Sequence, residues 1–464
     1  MASVDSSSGD GNNGLAKLSL STAGFSYAGS ELIRWSDTIG CHCERSRSVC
    51  SLTVFAYPRH RRSGKRERRV IRWQIGGFQD AKECQLHLLA ALKSVGNSAG
   101  APPVEPDGAC PSVTWPKPCL ILLNPRSGSG KAYDLFLRHV NPILADADFP
   151  YQLVVTRSLD HVRELSTSVP IDSVSGIVIV SGDGLVYEVV NSLLNRPDAE
   201  AAVRSIPIGV VPAGSGNAVV SSLLNYLGEF HPDNLIQHAA LSLVKHRPDS
   251  LINLDVGVIQ TPTNTDRPLH CVLSVTWGLI ADVDAESERF RILGGARFGL
   301  LLTKKCLAGI KRYRGRLSYL PADPANQLID SLPNFDQPVP TSWTVLERDF
   351  YTIGALLMSH LAEDFFPVTD WQPDDGLWRL FCVYPCSRSQ FLRGFTGAAK
   401  GRLEGDSIEV IRARAFRLEP LTPGGHMMID GEPMSYGPVQ GWVMPGKVRV
   451  LMSGKCQDMP AGDK

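Results

Sequence analysis

The stretch Ile177-Val-Ile-Val-Ser-Gly-Asp-Gly-Leu-Val-Tyr-Glu188 decides how the chain is read. Four β-branched residues in a row suit a strand buried on both faces, and the glycines after Ser181 open a turn into a helix predicted over 185–194. Working outward, Cys119–Asn124, Leu153–Thr156 and Ile208–Val211 have the same short apolar character. Helical stretches are predicted at 133–145, 160–166 and 217–227. Strand and helix alternating at this spacing predict a parallel sheet covered on both faces, with ligands beyond the carboxyl ends of its strands.

Three glycine-bearing loops leave those ends: Asn124-Pro-Arg-Ser-Gly-Ser-Gly-Lys131, Ser181-Gly-Asp-Gly184 and Pro212-Ala-Gly-Ser-Gly-Asn217. Glycine lets backbone N–H groups approach phosphate oxygens, and each loop feeds a helix N-terminus whose dipole favours an anion. Two familiar glycine motifs do not fit. A P-loop needs glycine where Pro125 stands and Ser or Thr where Ala132 stands, and a dinucleotide fingerprint needs a small residue where Tyr133, Tyr187 and Val219 stand. Asp183 is the informative residue, because an acid between two glycines opposes the anion that such a loop attracts. A turn residue or helix cap is the ordinary reading of an Asp-Gly pair. In this company a proton acceptor for an attacking hydroxyl, or a magnesium contact, is the stronger reading.

The rest of the chain divides by composition. Residues 1–20 are polar and expected to be disordered. Strands at 51–57 and 69–75 and a helix at 80–95 predict a small β-rich module over 21–95, resembling part of a pleckstrin-homology-like fold. Its basic turn carries Arg59, Arg61, Arg62, Lys65, Arg66, Arg68 and Arg69, a density suited to anionic lipid headgroups, to nuclear import or to a solvated tip. A Pro- and Gly-rich linker, 96–118, leads into the α/β domain, 119–249. Beyond it strands outnumber helices, predicting a second domain over 250–454 with an exposed insertion at 321–340 and a tail at 455–464.

Composition removes several function classes. The chain has 464 residues, 43% of them hydrophobic, enough apolar material for two or three folded domains. Lys+Arg and Asp+Glu both number 47, so no global charge draws the protein to nucleic acid, and none is expected as a partner. Eleven irregularly spaced cysteines read as reduced thiols, and Cys41, His42, Cys43 and Cys50 lack the paired spacing of a zinc site. The polar, acidic start is unlike a secretory signal, and no run approaches the ~18 apolar residues needed to span a bilayer. A cytoplasmic protein is expected, one that meets any lipid substrate from the membrane surface.

Taken together, the Asn-Pro first loop, the Gly-Asp-Gly second and the Pro-Ala-Gly-Ser-Gly-Asn third resemble the catalytic domain shared by diacylglycerol, ceramide and sphingosine kinases. Ser181 and the segment Trp277–Glu288 (WGLIADVDAESE) are similar to the sphingosine kinases in particular. The resemblance implies an α/β nucleotide-binding domain of the NAD kinase and diacylglycerol kinase type, followed by a β-sandwich-like lipid domain, with the site between them. It implies ATP and Mg2+ as cofactors and sphingosine or a similar long-chain base as substrate, met at an anionic membrane surface.

By the same resemblance Asp183 is the general base. Asn124, Arg126, Ser127, Gly128, Lys131, Thr156, Ser181, Gly182, Gly184, Gly214, Ser215 and Gly216 go to the nucleotide, with Glu188 on the following helix, beside Asn191. Arg291 and Arg297 are implied for the ATP phosphates, and Asp430 and Glu432 for the nucleotide or its magnesium through water. Asp284, rather than Asp282, is implied as the partner of the substrate's ammonium and secondary hydroxyl. Leu279, Ile280, Phe298, Leu302 and Phe395, with Leu307, Leu357 and Phe365, are the expected lining for an acyl tail, and Leu361–Pro367 (LAEDFFP) resembles the family's lipid-gate region. Ser129 stands where the family often has lysine, leaving Lys131 as the lysine of that loop. A diacylglycerol or ceramide kinase, or a non-catalytic lipid sensor on the same fold, would share the three loops.

Overall fold

The computed structural model describes residues 17–46, 49–75, 77–94, 117–245, 251–265, 268–287, 296–322, 329, 331–402 and 405–452. Most of the expected linker and all of the expected tail lie outside these residues.

The parallel sheet forms as the apolar runs require. Tyr151–Val155, Cys119–Leu123, Ile177–Ser181 and Ile208–Pro212 lie side by side in that order, all parallel. The three inner strands are buried at every position, which explains their unbroken apolar sequence, whereas Tyr151–Val155 is an edge and partly exposed. Because the strand first in the chain sits between the second and the third, the connections diverge there, leaving a crevice at the carboxyl ends. The helix expected at 133–145 is interrupted by a π-helical turn at Phe136–Val140, just ahead of Pro142, which cannot donate to the carbonyl of Arg138. Helices Ala199–Ser205 and Leu235–Val244 were not anticipated.

The second domain is built from antiparallel strands, and its longest pairing joins Ile252–Gln260 to Val439–Val450. Val439–Val450 also pairs with Ile408–Pro420, and Val450 meets Ile208 in parallel register. The last strand thus returns to the α/β domain, and the two sheets are continuous through it. Part of the insertion is anchored: buried Arg417 donates to the carbonyls of Pro333, Asn334 and Gln337.

The N-terminal module holds two three-stranded sheets and the helix Phe78–Ser94, around a core of Phe25, Trp35 and Trp73. It begins earlier than expected, because Leu18–Leu20 is a strand paired with Gly24–Tyr27 and not part of a disordered tail. The basic turn is largely neutralised by acids. Arg66, 8% exposed, donates to Glu229 and Asp37 at 2.8 and 3.1 Å, while Arg59 reaches Glu229 at 2.7 Å. Arg68 pairs with buried Asp146, Lys65 with Asp233 and Arg69 with Glu31. Three of these acids, Glu229, Asp146 and Asp233, belong to the α/β domain, so the turn serves as an interdomain contact. Burial raises the Glu229 carboxyl, but hydrogen bonds with His238, Arg66 and Arg59 outweigh it and hold the group well below the ordinary carboxylate range.

Arg66→Ala would leave Glu229 and Asp37 without their buried partner, at an expected cost of about 3–5 kcal/mol. Thermal unfolding of the full chain should begin at lower temperature with faster proteolysis between the module and the α/β domain; unchanged melting and proteolysis would make the contact incidental.

Candidate active site

The three glycine loops converge at the carboxyl ends of the sheet. Ser127 Oγ and Ser181 Oγ lie 3.0 Å apart, joining the first loop to the second. The second and third are closer still: the Asp183 N–H donates to the Gly216 carbonyl at 3.1 Å, and a Cβ placed on Gly214 would stand 2.3 Å from Gly182 Cα. A Cβ on Gly128 would lie 2.8 Å from the Ala213 carbonyl oxygen. These glycines are therefore required for loop-to-loop contact as well as for access to an anion.

Asp183 opens the helix Asp183–Leu194, and its buried carboxylate reaches the start of another, Ala218–Tyr226. The N–H groups of Ala218 and Val219 donate to its two oxygens at 2.8 and 3.0 Å. The acid thus caps a helix, though not its own, and about half of a carboxylate's acceptor capacity remains. Burial pushes its carboxyl up to about 6; the two N–H donors pull it down and neighbouring Asp430 adds to the rise. Such a group changes charge near neutral pH, as a proton acceptor must.

Around this centre the expected residues fall into two sets. In the first loop, the Arg126 N–H donates to Asn124 Oδ1, and the Arg126 side chain donates to the Arg157 carbonyl at 2.5 Å. Gly128 and Gly130 adopt positive φ, and exposed Lys131 precedes the helix that follows. Thr156, at the end of the edge strand, donates its hydroxyl to the Leu123 carbonyl. Ser215 is the exposed tip of the third loop, between Gly214 and Gly216. Gly184 stands opposite Glu432, whose Oε1 would be 3.7 Å from a Cβ at that glycine.

Other expected ligands are engaged elsewhere. Both oxygens of Glu188 are held by Arg163 at 2.7 and 2.8 Å. Asn191 exchanges hydrogen bonds with the backbone of His270, which turns it from the phosphates toward the second domain. Asp430 is likewise structural: its carboxylate accepts from the N–H groups of Val272, Leu273 and Ser274 and from the Cys271 thiol. Any contact of the Asp430–Glu432 turn with a nucleotide or cation thus falls to Glu432 and the backbone.

On the lipid side the two candidate acids separate. Asp282 is buried, bonded to the Tyr313 hydroxyl and to His426 Nδ1, the latter at 2.8 Å. Asp284 instead points toward Gly431, where a Cβ would stand 3.8 Å from its Oδ2. Leu279, Ile280, Leu302, Phe365 and Phe395 belong to or pack against one apolar cluster, with Phe365 and Phe395 rings 4.6 Å apart. Leu357 lies in a different cluster, and Leu307 is 71% exposed, so neither lines that space. Arg291 and the side chains of Arg297 and Phe298 lie outside the described residues.

Asn217, the last residue of the third motif and not among the expected site residues, closes the third loop by bonding both the N–H and the carbonyl of Gly214. Arg163, Tyr313 and His426 carried no sequence signal, since each acts on an acid 25 or more positions away. Among the described residues no group of three His, Cys, Asp or Glu is arranged to hold a metal. A magnesium ion bound mainly by phosphates and water needs only one or two carboxylates, and Glu432 beside Gly184 fits that need.

Comparison with known proteins matches these two domains. Residues 118–250 match the diacylglycerol kinase catalytic domain, and residues 368–452 the YegS C-terminal NAD kinase beta sandwich-like domain. Human sphingosine kinase 1 is 39% identical over 388 residues, covering 77% of this chain and 98% of that protein. Human sphingosine kinase 2 is 29% identical, covering 91% of this chain and 85% of that protein. A crystal structure of a Bacillus anthracis protein provisionally named a diacylglycerol kinase has the same fold, with TM-score 0.53 at 19% identity over 73% of this chain and 95% of that one.

Proposed function

Since the chain belongs to the sphingosine kinase family, we infer that it transfers the terminal phosphate of ATP to the primary hydroxyl of sphingosine or a related long-chain base. The observation that carries this reading is the placement of two carboxylates about one turn. Asp284 lies against Gly431, and Glu432 of the same turn lies against Gly184, next to Asp183. A substrate with an ammonium group two carbons from a primary hydroxyl suits such a pair. Neutral diacylglycerol and N-acylated ceramide offer no cation for Asp284.

In this reading Asp183 accepts the hydroxyl proton as the substrate oxygen attacks the γ-phosphorus in line, and ADP departs. The Ala218 and Val219 N–H groups fix the orientation of the acid. The glycine loops hold the phosphates through backbone N–H groups, with Lys131 nearby. Magnesium, carried with ATP, would be held by phosphate oxygens and Glu432, and would neutralise charge on the transferred group. Exposed Leu300 and Leu307, one above the other on the helix Ala296–Ala308, and Leu392 on Arg388–Ala398 supply an apolar surface where the two helices flanking the lipid cluster would meet a bilayer.

A panel of sphingosine, ceramide and diacylglycerol with labelled ATP tests the reading. Phosphate transfer to sphingosine is expected, and Asp284→Asn should raise the sphingosine KM by about tenfold or more with little change for ATP. Transfer only to the neutral lipids would replace the reading, and an unchanged KM would remove Asp284 from recognition.

Asp183→Asn should lower kcat by a factor of about 100 or more while ATP binding survives. In the wild type the base works only when ionised, so activity is full above its pKa of about 6 and falls about tenfold per pH unit below it. A variant that turns over normally, or that fails to fold, would make the acid a helix cap alone. Leu300→Asp with Leu307→Asp should reduce co-sedimentation with anionic vesicles while leaving turnover of detergent-dispersed sphingosine intact; unchanged sedimentation would move the membrane surface elsewhere.

A further inference from the structure

Two residues before Asp284, the helix Leu279–Ser287 buries a second acid, Asp282. A carboxylate taken out of water needs donors, and each of its oxygens has one. The Tyr313 hydroxyl donates to Oδ2, and His426 Nδ1 lies 2.8 Å from Oδ1. An ionised carboxylate only accepts, so the imidazole proton sits on Nδ1. The two donors come from one assembled patch. Tyr313 begins the strand Tyr313–Pro321, and His426 ends the loop 421–426, which is bound to the start of that strand. The Leu421 and Thr422 N–H groups donate to the Arg314 carbonyl at 2.9 and 3.0 Å, and Lys311 Nζ donates to the Gly424 carbonyl at 3.0 Å. A Cβ on Gly425 would stand 3.0 Å from the Tyr313 ring, so the loop lies on the ring itself.

His426 leads directly into the strand Met427–Ile429, and the turn after that strand holds Gly431, followed by Glu432. The strand is paired on one side with Glu432–Met434 and on the other with Ser274–Gly278, which runs straight into the helix of Asp282 and Asp284. Asp282 therefore pins the helix to one end of the strand, at His426, while Asp284 meets its other end, beside Gly431. The start of the helix is held separately. The Leu279 N–H donates to the Tyr351 carbonyl at 2.9 Å and the Ile280 N–H to Thr352 Oγ1 at 3.3 Å. Successive helical residues are turned by about 100°, so a helix fixed at its start and again at Asp282 has one direction in which Asp284 can point.

We propose that Asp282 and His426 are positioning residues for the lipid: they hold the helix so that Asp284 stands at the distance from Glu432 and Asp183 that the ammonium and primary hydroxyl of one long-chain base must span. Both act through Asp284, so their effect falls on the KM of the lipid. The glycine loops and Asp183 are held by other bonds. This proposal rests on the kinase reading above.

The test is steady-state kinetics of the full-length protein in detergent micelles, varying sphingosine and ATP separately. The His426 side chain is 51% exposed, so its truncation leaves the core in place. His426→Ala should raise the sphingosine KM by about fivefold, with kcat and the ATP KM within about twofold of wild type. His426→Asn puts an amide N–H where Nδ1 stands and should return the KM to within about twofold of wild type. Tyr313→Phe keeps the buried ring and removes only the second donor, so it should raise the sphingosine KM in the same way and decides the matter if His426→Ala does not fold. In an Asp284→Asn background, His426→Ala should add less than about twofold, because the position it secures no longer carries a charge. An unchanged sphingosine KM in either single variant overturns the proposal. So does a full fivefold rise in the Asp284→Asn background, or a fall in kcat with a matching rise in the ATP KM, since either would make the Asp282 contacts a support of the fold alone. Absence of sphingosine phosphorylation by the wild type would instead fail the kinase reading itself.

Discussion

The hydrogen bonds from Ala218 and Val219 to Asp183 are the constraint on which the rest of the site depends. A carboxylate taken out of water is costly unless donors replace the solvent, and the first N–H groups of a helix are aligned to do so. Pairing them with an acid from the preceding loop locks two strand–loop–helix units together. The third loop cannot then move without leaving a buried acid unpaired. Close approach follows, and with it the exclusion of side chains at Gly182 and Gly214.

The same contact sets the chemistry. Burial and the nearby Asp430 raise the Asp183 carboxyl, the helix N-terminus lowers it, and the result near 6 lies between a spectator acid and a permanently protonated one. Asp430 has no such balance to strike with a substrate, because four donors already surround it. Two acids, each followed by glycine, thus have different surroundings. Asp183 lies among the three glycine loops, whereas Asp430 faces the backbone of its own domain.

How much of this was legible follows from the range of the interactions. Ile177–Ser181 and its inner neighbours are buried on both faces, so local composition was enough to place them and hence the loops at their ends. Thr344–Phe350 was missed because three successive charged residues, Glu347, Arg348 and Asp349, interrupt its apolar ones, as an edge strand permits. The basic turn illustrates the opposite difficulty. Its composition signals an anionic partner, and the structure supplies one in Glu229, more than 160 positions away and invisible to any local pattern. Glu188 and Asp430 were sound candidates by position, but what engages them, Arg163 and the 272–274 backbone, comes from distant sequence.

The continuity of the two sheets limits how the protein can respond to its ligands. Val439–Val450 is hydrogen-bonded to strands of the second domain along most of its length and reaches the parallel sheet at Ile208, after which Leu451 joins the core beneath that sheet. Opening the domains about this strand would break backbone pairing and expose Leu451, so wide hinge motion carries a large cost. A cleft that must admit a long lipid and a nucleotide therefore has to adjust through short segments at its rim. The Ala362–Phe365 turn is such a segment: two backbone hydrogen bonds close it, Asp364 is exposed, Phe365 packs against the lipid-side cluster, and His360 just before it donates to Ser222. Rigidity in the sheet and compliance at the turn are two consequences of one topology, because a frame that cannot open leaves its small surface elements to carry the motion.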